Sequence, residues 1–167
     1  MKALYFPSLL DIELDTLKAL NIKCIFLDID NTIKPYGAET VDTAYHSWID
    51  NVKANGIKII LCSNNFRKTV EPIAKQLNCD FAAFCLKPSP FGYIRALIKS
   101  KEKIGNTLVI GDQCFTDIFG GKILGAKAFM VDPISEEAEG TTVKIRRALT
   151  APFTRKIISR ENIYRKK

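Results

Sequence analysis

The chain has 167 residues, enough for one domain with a sizeable core, and its 47% hydrophobic and 26% charged content is ordinary for a water-soluble protein. No apolar run approaches the ~20 residues of a membrane span, and Asp11, Glu13 and Asp15 break the apolar N-terminus too early for a signal peptide, so a cytoplasmic location is expected. The net charge of +7 is uneven: residues 141–167 carry nine Lys or Arg against one Glu (+8), and residues 1–140 carry 16 basic against 17 acidic residues (−1). The chain therefore divides into a near-neutral body, 1–140, with an N-terminal extension at 1–21, and a basic C-terminal tail, 141–167. Such a tail is expected either to meet an anionic partner, a membrane surface or nucleic acid, or to be a solvated end with no partner.

Strand-like and helix-like runs alternate along the body. Strands are expected at "IKCIFLD" (22–28), "IKIILCS" (57–63), "DFAAFC" (80–85), "TLVIGD" (107–112) and "AKAFMVD" (126–132). Helices are expected at 40–55, stopped by Gly56; at 66–77, where Pro72 should kink or shift it; at 89–100, with Ser89 as N-cap and Pro90 in the first turn; and at 116–125. Five strands alternating with helices imply a Rossmann-like α/β sandwich of three layers around a five-stranded parallel sheet. Such sheets bind ligands beyond the carboxyl ends of their strands. The five cysteines, Cys24, Cys62, Cys79, Cys85 and Cys114, form no C-x-x-C pair and read as free thiols.

Polar groups gather at those strand ends. Asp28, Asp30 and Thr32 follow the first strand; Ser63, Asn64 and Asn65 the second; Lys87 and Pro88 the third; Gly111, Asp112 and Asp117 the fourth. Acids to hold a cation, one lysine and one hydroxyl make up a metal-assisted phosphate site. Asp28 to Glu39 also echoes a calcium loop, but Ile33 stands where that loop needs Gly, and Pro35 interrupts it. His46, the only histidine, falls in the helix after the first cluster and reads as a solvated or packed residue.

The four clusters, "DIDNT", "CSNN", "LKPSP" and "GDQCFTD", resemble the four motifs of the haloacid dehalogenase-like phosphohydrolases, in order, over residues 22–132. The resemblance implies Mg²⁺ as cofactor and an aspartyl-phosphate mechanism. Asp28 would be the nucleophile and Asp30 the general acid and base. Ser63 and Asn64 would hold the transferring phosphoryl group and Lys87 would neutralise it. Asp28, the Asp30 carbonyl and Asp112 would bind the metal, with Asp117 and Thr32 in support.

Thr32 to Ser63 spans 31 positions and Ser63 to Lys87 spans 24, each room for one helix and one strand but not for a cap domain. An uncapped, open pocket suits a large substrate. "LNIKCIFLDIDNTI", "SNN", "KP" and "GDQCFTD" most resemble the capless IIIA group and its phosphatidylglycerophosphatase-like branch, which implies a phospholipid phosphate ester as substrate. A soluble phosphometabolite, a nucleic-acid 3′-phosphate, or non-catalytic anion binding are the alternatives. In the tail, Ile145, Leu149, Phe153, Ile157 and Ile158 interleave with Lys144, Arg146, Arg147, Arg155, Lys156 and Arg160, a pattern suited to peripheral contact with the inner face of a membrane. Leu4, Tyr5, Phe6, Leu9 and Leu10 either join that contact or pack on the core.

Overall fold

In the strand Cys24–Leu27 (β2) every residue is buried, as a strand covered on both faces requires. The structure, a computed structural model, describes residues 3–135, 137 and 139–164, with side chains as far as 159. Met1, Lys2 and the last three residues of the basic tail lie outside the described residues. Around β2 the sheet adds Leu4–Phe6 (β1), Lys58–Cys62 (β3), Asp80–Ala82 (β4), Thr107–Gly111 (β5) and Lys127–Val131 (β6), in the order β1-β6-β5-β2-β3-β4. All pairs are parallel. The sheet has six strands, not five. The sixth is β1, too short to give an alternating pattern and formed only by pairing Leu4, Tyr5 and Phe6 with Phe129, Met130 and Val131.

The two faces follow the period-two alternation of the strands. Ile25, Leu27, Ile59, Leu61, Leu108 and Ile110 pack with Leu17 of Leu14–Ala19 (α1), Ile49 and Val52 of Thr43–Ala54 (α2), and Val70 and Ile73 of Arg67–Gln76 (α3). Cys24, Phe26, Ile60 and Val109 pack with Tyr93 and Ala96 of Phe91–Ser100 (α4). Ala128 and Met130 meet Ile118 of a π-helical turn, Cys114–Phe119, and Ile157 and Ile158 of the long helix Thr141–Tyr164 (α6). The short helix Gly120–Leu124 (α5) continues that turn.

Pro72 stays inside α3, on its exposed face, where the carbonyl it leaves without a partner can meet water. The first turn of α4 differs from expectation. Ser89 is spent on a turn, its N–H donating to the Leu86 carbonyl at 2.9 Å, and Pro90 takes the cap position. The N-terminal apolars pack on the body: Leu9 is buried, although Leu10 is 42% exposed. All five cysteines are free. Among the described residues no helix is long and apolar enough to cross a membrane.

Candidate active site

β2 and β5 lie side by side with Leu27 opposite Ile110, so the residues just beyond them, Asp28 and Asp112, emerge together. Asp28, Asp112 and Asp117 are buried, and one carboxylate oxygen from each lies within 4.8 Å of the others. Lys87 reaches in from beyond β4. Its ammonium donates to Asp28 Oδ1 at 2.5 Å and to Asp117 Oδ1 at 2.6 Å. The other oxygen of Asp117 accepts from the Gln113 N–H at 3.2 Å and the Thr116 hydroxyl at 3.1 Å. Gly111 makes this packing possible: a Cβ there would lie 2.3 Å from Asp117 Cγ.

Burial sets the protonation of this cluster. It raises the Asp28 carboxyl well above its usual range, against the pull of Lys87. It also raises Asp112 to about 7, with repulsion from Asp117 adding to it and Arg147 opposing. Lys87 is likewise buried, which works against its charge, but Asp117 and Asp28 outweigh this and raise its pKa well above the usual value. The Thr32 hydroxyl lies 3.2 Å from Asp28 Oδ2 and 3.3 Å from Asp112 Oδ1, yet it has one hydrogen for two carboxylate oxygens. Three closely spaced carboxylates are hard oxygen donors of the kind a divalent cation takes.

Asp30 stands apart from the three acids. Its carboxylate accepts from Lys34 Nζ at 2.5 Å and Asn65 Nδ2 at 2.7 Å, so any metal contact from this residue would come from its carbonyl. Asn64 clamps the backbone of Lys87, accepting its N–H at 2.7 Å and donating to its carbonyl at 3.2 Å. The Ser63 hydroxyl accepts the Asn65 N–H at 3.1 Å. Asp28, Asp30, Ser63, Asn64, Asn65 and Lys87 line one cleft of about 160 Å³. His46 lies outside it on α2, 3.7 Å from Asp50.

The cleft also has a wall that sequence reasoning assigned elsewhere. Val143 and Arg146 of α6 line it. Arg147, next in sequence, donates from Nε to both Glu139 oxygens at 3.0 and 2.9 Å and from Nη1 to the Asp112 carbonyl at 3.2 Å; its Nη2 also contacts the Asp112 carboxylate. Glu139 in turn accepts from Asn31 Nδ2 at 2.7 Å. Asn31 adopts φ 60, a left-handed conformation that Asn tolerates better than most residues. Periodicity in the sequence does not announce this clamp; the folded chain turns 143, 146, 147 and 150 inward on one helix.

The profile of the haloacid dehalogenase-like hydrolases matches residues 36–125, more than half of the chain and including Ser63, Lys87, Asp112 and Asp117. The chain belongs to the haloacid dehalogenase-like hydrolases. It is 29% identical over 131 residues to the probable phosphatase YqeG of Bacillus subtilis (strain 168), covering 78% of this chain and 76% of that one. Two solved structures share the fold of this haloacid dehalogenase-like hydrolase. An uncharacterized protein from Listeria monocytogenes serotype 4b superposes with TM-score 0.57 at 12% identity, over 71% of this chain and 85% of that one. The cobalt-bound deoxy-D-mannose-octulosonate 8-phosphate phosphatase (YrbI) of Haemophilus influenzae superposes with TM-score 0.56 at 12% identity, over 80% and 90%.

Proposed function

We propose that this chain is a magnesium-dependent phosphomonoester hydrolase acting on a phospholipid such as phosphatidylglycerophosphate. The observation that carries the chemistry is the buried contact of Lys87 with both Asp28 and Asp117 on the floor of an open cleft. The name of the B. subtilis relative supports it. Asp28 attacks phosphorus, forming an acyl phosphate as the ester P–O bond breaks. Asp30 gives its proton to the leaving oxygen, then takes one from the water that attacks phosphorus and frees Asp28 and phosphate. Asn65 and Lys34 aim the Asp30 carboxylate. Lys87, held by Asn64, neutralises charge on the nucleophile and phosphoryl oxygens, and Ser63 and the backbone N–H groups near Asn64 hold the phosphoryl group. Asp28, Asp112 and the Asp30 carbonyl would hold the cation, with Thr32 and Asp117 in support. When bound, Mg²⁺ masks the negative charge of the phosphate and orients it for attack.

The lipid reading rests on apolar surface beside the cleft. A space lined by Gln113, Phe115 and Thr150 adjoins the cleft, and an apolar groove of about 450 Å³ continues from it between Phe115, Ile118 and Phe119 on one side and Phe153 and Ile157 on the other. Phe115 and Phe119 stack at 6.1 Å. On the outer face of α6, Ile145 (55%) and Leu149 (73%) are exposed four positions apart, with Lys144 nearby, a pattern suited to a helix lying on an anionic bilayer. Arg147 is occupied by Asp112 and Glu139 and lines the adjoining space rather than this basic surface.

The decisive measurement is phosphate release with Mg²⁺ from a panel of esters including phosphatidylglycerophosphate in vesicles. Fastest turnover of the phospholipid is expected, with Asp28→Asn inactive but folded. Faster turnover of a sugar phosphate or a nucleic-acid 3′-phosphate would move the substrate to that class. Activity undiminished in Asp28→Asn or in excess chelator would overturn the mechanism.

A further inference from the structure

We infer that Arg146 is a specificity-determining residue, reading a second anionic group on the substrate a few bonds from the phosphate that is cleaved. The inference rests on the phosphohydrolase reading and adds which esters the site selects.

Among the described residues, Arg146 and Gln113 line both the cleft that holds Asp28 and Lys87 and the adjoining space of about 240 Å³ along α6. They stand where a substrate longer than one phosphoryl group would have to pass. The basic side chains at this junction differ in how they are used. Lys87 is consumed by Asp28 and Asp117, and Arg147 by Glu139 and Asp112. Arg146 has no hydrogen bond or ion pair from its guanidinium among the described residues, although it faces inward and is only partly exposed. Of the acids around the adjoining space, Asp112 is engaged by Arg147, and Asp132 accepts from the Tyr5 hydroxyl at 2.5 Å. Arg155 is the remaining basic residue lining that space. At the junction itself, the Arg146 guanidinium is therefore a positive group without a hydrogen bond or ion pair among the described residues.

Position and chemistry agree. The Arg147 clamp, continued through Glu139 to Asn31, ties α6 to the loop after β2. The neighbouring residue is thereby fixed toward the cleft rather than left on a mobile tail. A guanidinium presents paired N–H donors that match two phosphate oxygens. Gln113 adds a buried side-chain oxygen with no hydrogen-bond partner, an acceptor suited to a hydroxyl donor on the linker between the two anions. The reacting phosphate already has Lys87 and a cation site. An extra unpaired arginine beside it matches an extra anion: a phosphomonoester joined through a short hydroxylated linker to a second phosphate.

The test compares two soluble esters, so that it does not depend on a membrane: glycerol 3-phosphate, and the deacylated headgroup in which glycerol 3-phosphate is joined to a second glycerol by a phosphodiester. The wild-type protein should prefer the second ester, and Arg146→Gln should reduce that kcat/KM ratio by about tenfold, chiefly through KM, as loss of one charged hydrogen-bonded contact implies. Arg146→Lys should keep part of the preference. An unchanged ratio in Arg146→Gln, including an equal loss on both esters, would overturn the inference. If the wild type turns over neither ester, the hydrolase reading itself is in question, and calorimetry with the phosphodiester-linked ester still decides about Arg146. Its binding to Asp28→Asn should weaken about tenfold when Arg146→Gln is added, and equal affinity would overturn the inference. Matching thermal melts would show that the variants are folded.

Discussion

The cleft has two walls of different construction. One is the carboxyl edge of the sheet, where Asp28, Lys87, Asp112 and Asp117 are buried, Lys87 bonding Asp28 and Asp117, and Thr32 lying between Asp28 and Asp112. The other is α6, held near the site by Arg147, with Arg146 unpaired and Ile145, Leu149 and Phe153 exposed. The first wall is over-determined: each side chain has a partner that fixes its position, as bond-breaking chemistry demands. The second is held by the Arg147 ion pairs and by Ile157 and Ile158 against Ala128 and Met130, and between these anchors it presents groups open to a substrate. On the proposed reading, chemistry belongs to the sheet wall and substrate choice to α6, and the contact of Arg147 with Asp112 joins the two.

The largest effect is expected on the sheet wall. Asp28→Asn should lower phosphate release by roughly 10³-fold or more, because it removes the proposed nucleophile while preserving its shape. Residual turnover within tenfold of wild type would break the comparison at once. Gly111→Ala should follow. Its Cβ would enter the space of Asp117, so the lysine-holding carboxylate must move. A stability loss of about 1–3 kcal/mol by denaturant titration, with a clear fall in kcat, is expected. Wild-type kcat in that variant would show that Asp117 need not be fixed.

The anchor between the walls comes next. Arg147→Ala leaves Glu139 buried without its charge partner and should cost about 3 kcal/mol. Limited proteolysis should then cut α6 before the body, and intact α6 under those conditions would mean that other contacts hold it.

The proposed metal ligands give a smaller, pH-linked effect. The Asp112 pKa is raised from 3.8 in the unfolded chain to about 7 in the folded one, so the folded state holds the extra proton between these values. Metal-free stability should therefore fall as pH rises through that window. A cation must displace the same proton, so Mg²⁺ should raise Tm more at about pH 8 than at about pH 5.5. An equal rise at both would separate Asp112 from the cation.

The smallest effect is expected on the outer face of α6. Ile145→Ser/Leu149→Ser should reduce activity on anionic vesicles several-fold, as lost apolar insertion implies, and should leave turnover of a soluble aryl phosphate within about twofold. Equal losses on both would tie this face to folding rather than to a bilayer.

Much of the sheet wall is legible in the chain itself. Phe26 and Leu27 run into Asp28, Ile60 and Leu61 lead to Ser63, and Val109 and Ile110 lead to Asp112. A buried apolar run followed by polar groups marks a strand end locally, and parallel topology brings those ends to one edge. The π-helical turn at Cys114–Phe119 has the sequence pattern of an ordinary helix start, because side-chain periodicity does not reveal a widened turn. The split of Asp30 from the other acids is not legible either, since it depends on Asn65, 35 residues away.

The sequence by itself determined the alternation of strands and helices, the faces of the strands, and the set of chemical groups delivered to the sheet edge. These depend on periodicity and on neighbours within a few residues. Only the tertiary structure decided that Leu4–Phe6 becomes an edge strand, that the basic stretch after Gly140 folds back as α6, and that Arg147 leaves the apparent membrane-facing charge to join Asp112 and Glu139. Those outcomes rest on contacts such as Asn31 with Glu139, 108 residues apart, and Tyr5 with Asp132, 127 apart. The charge of an arginine can be read from the chain, but its partner depends on which distant carboxylate the folded backbone brings within reach.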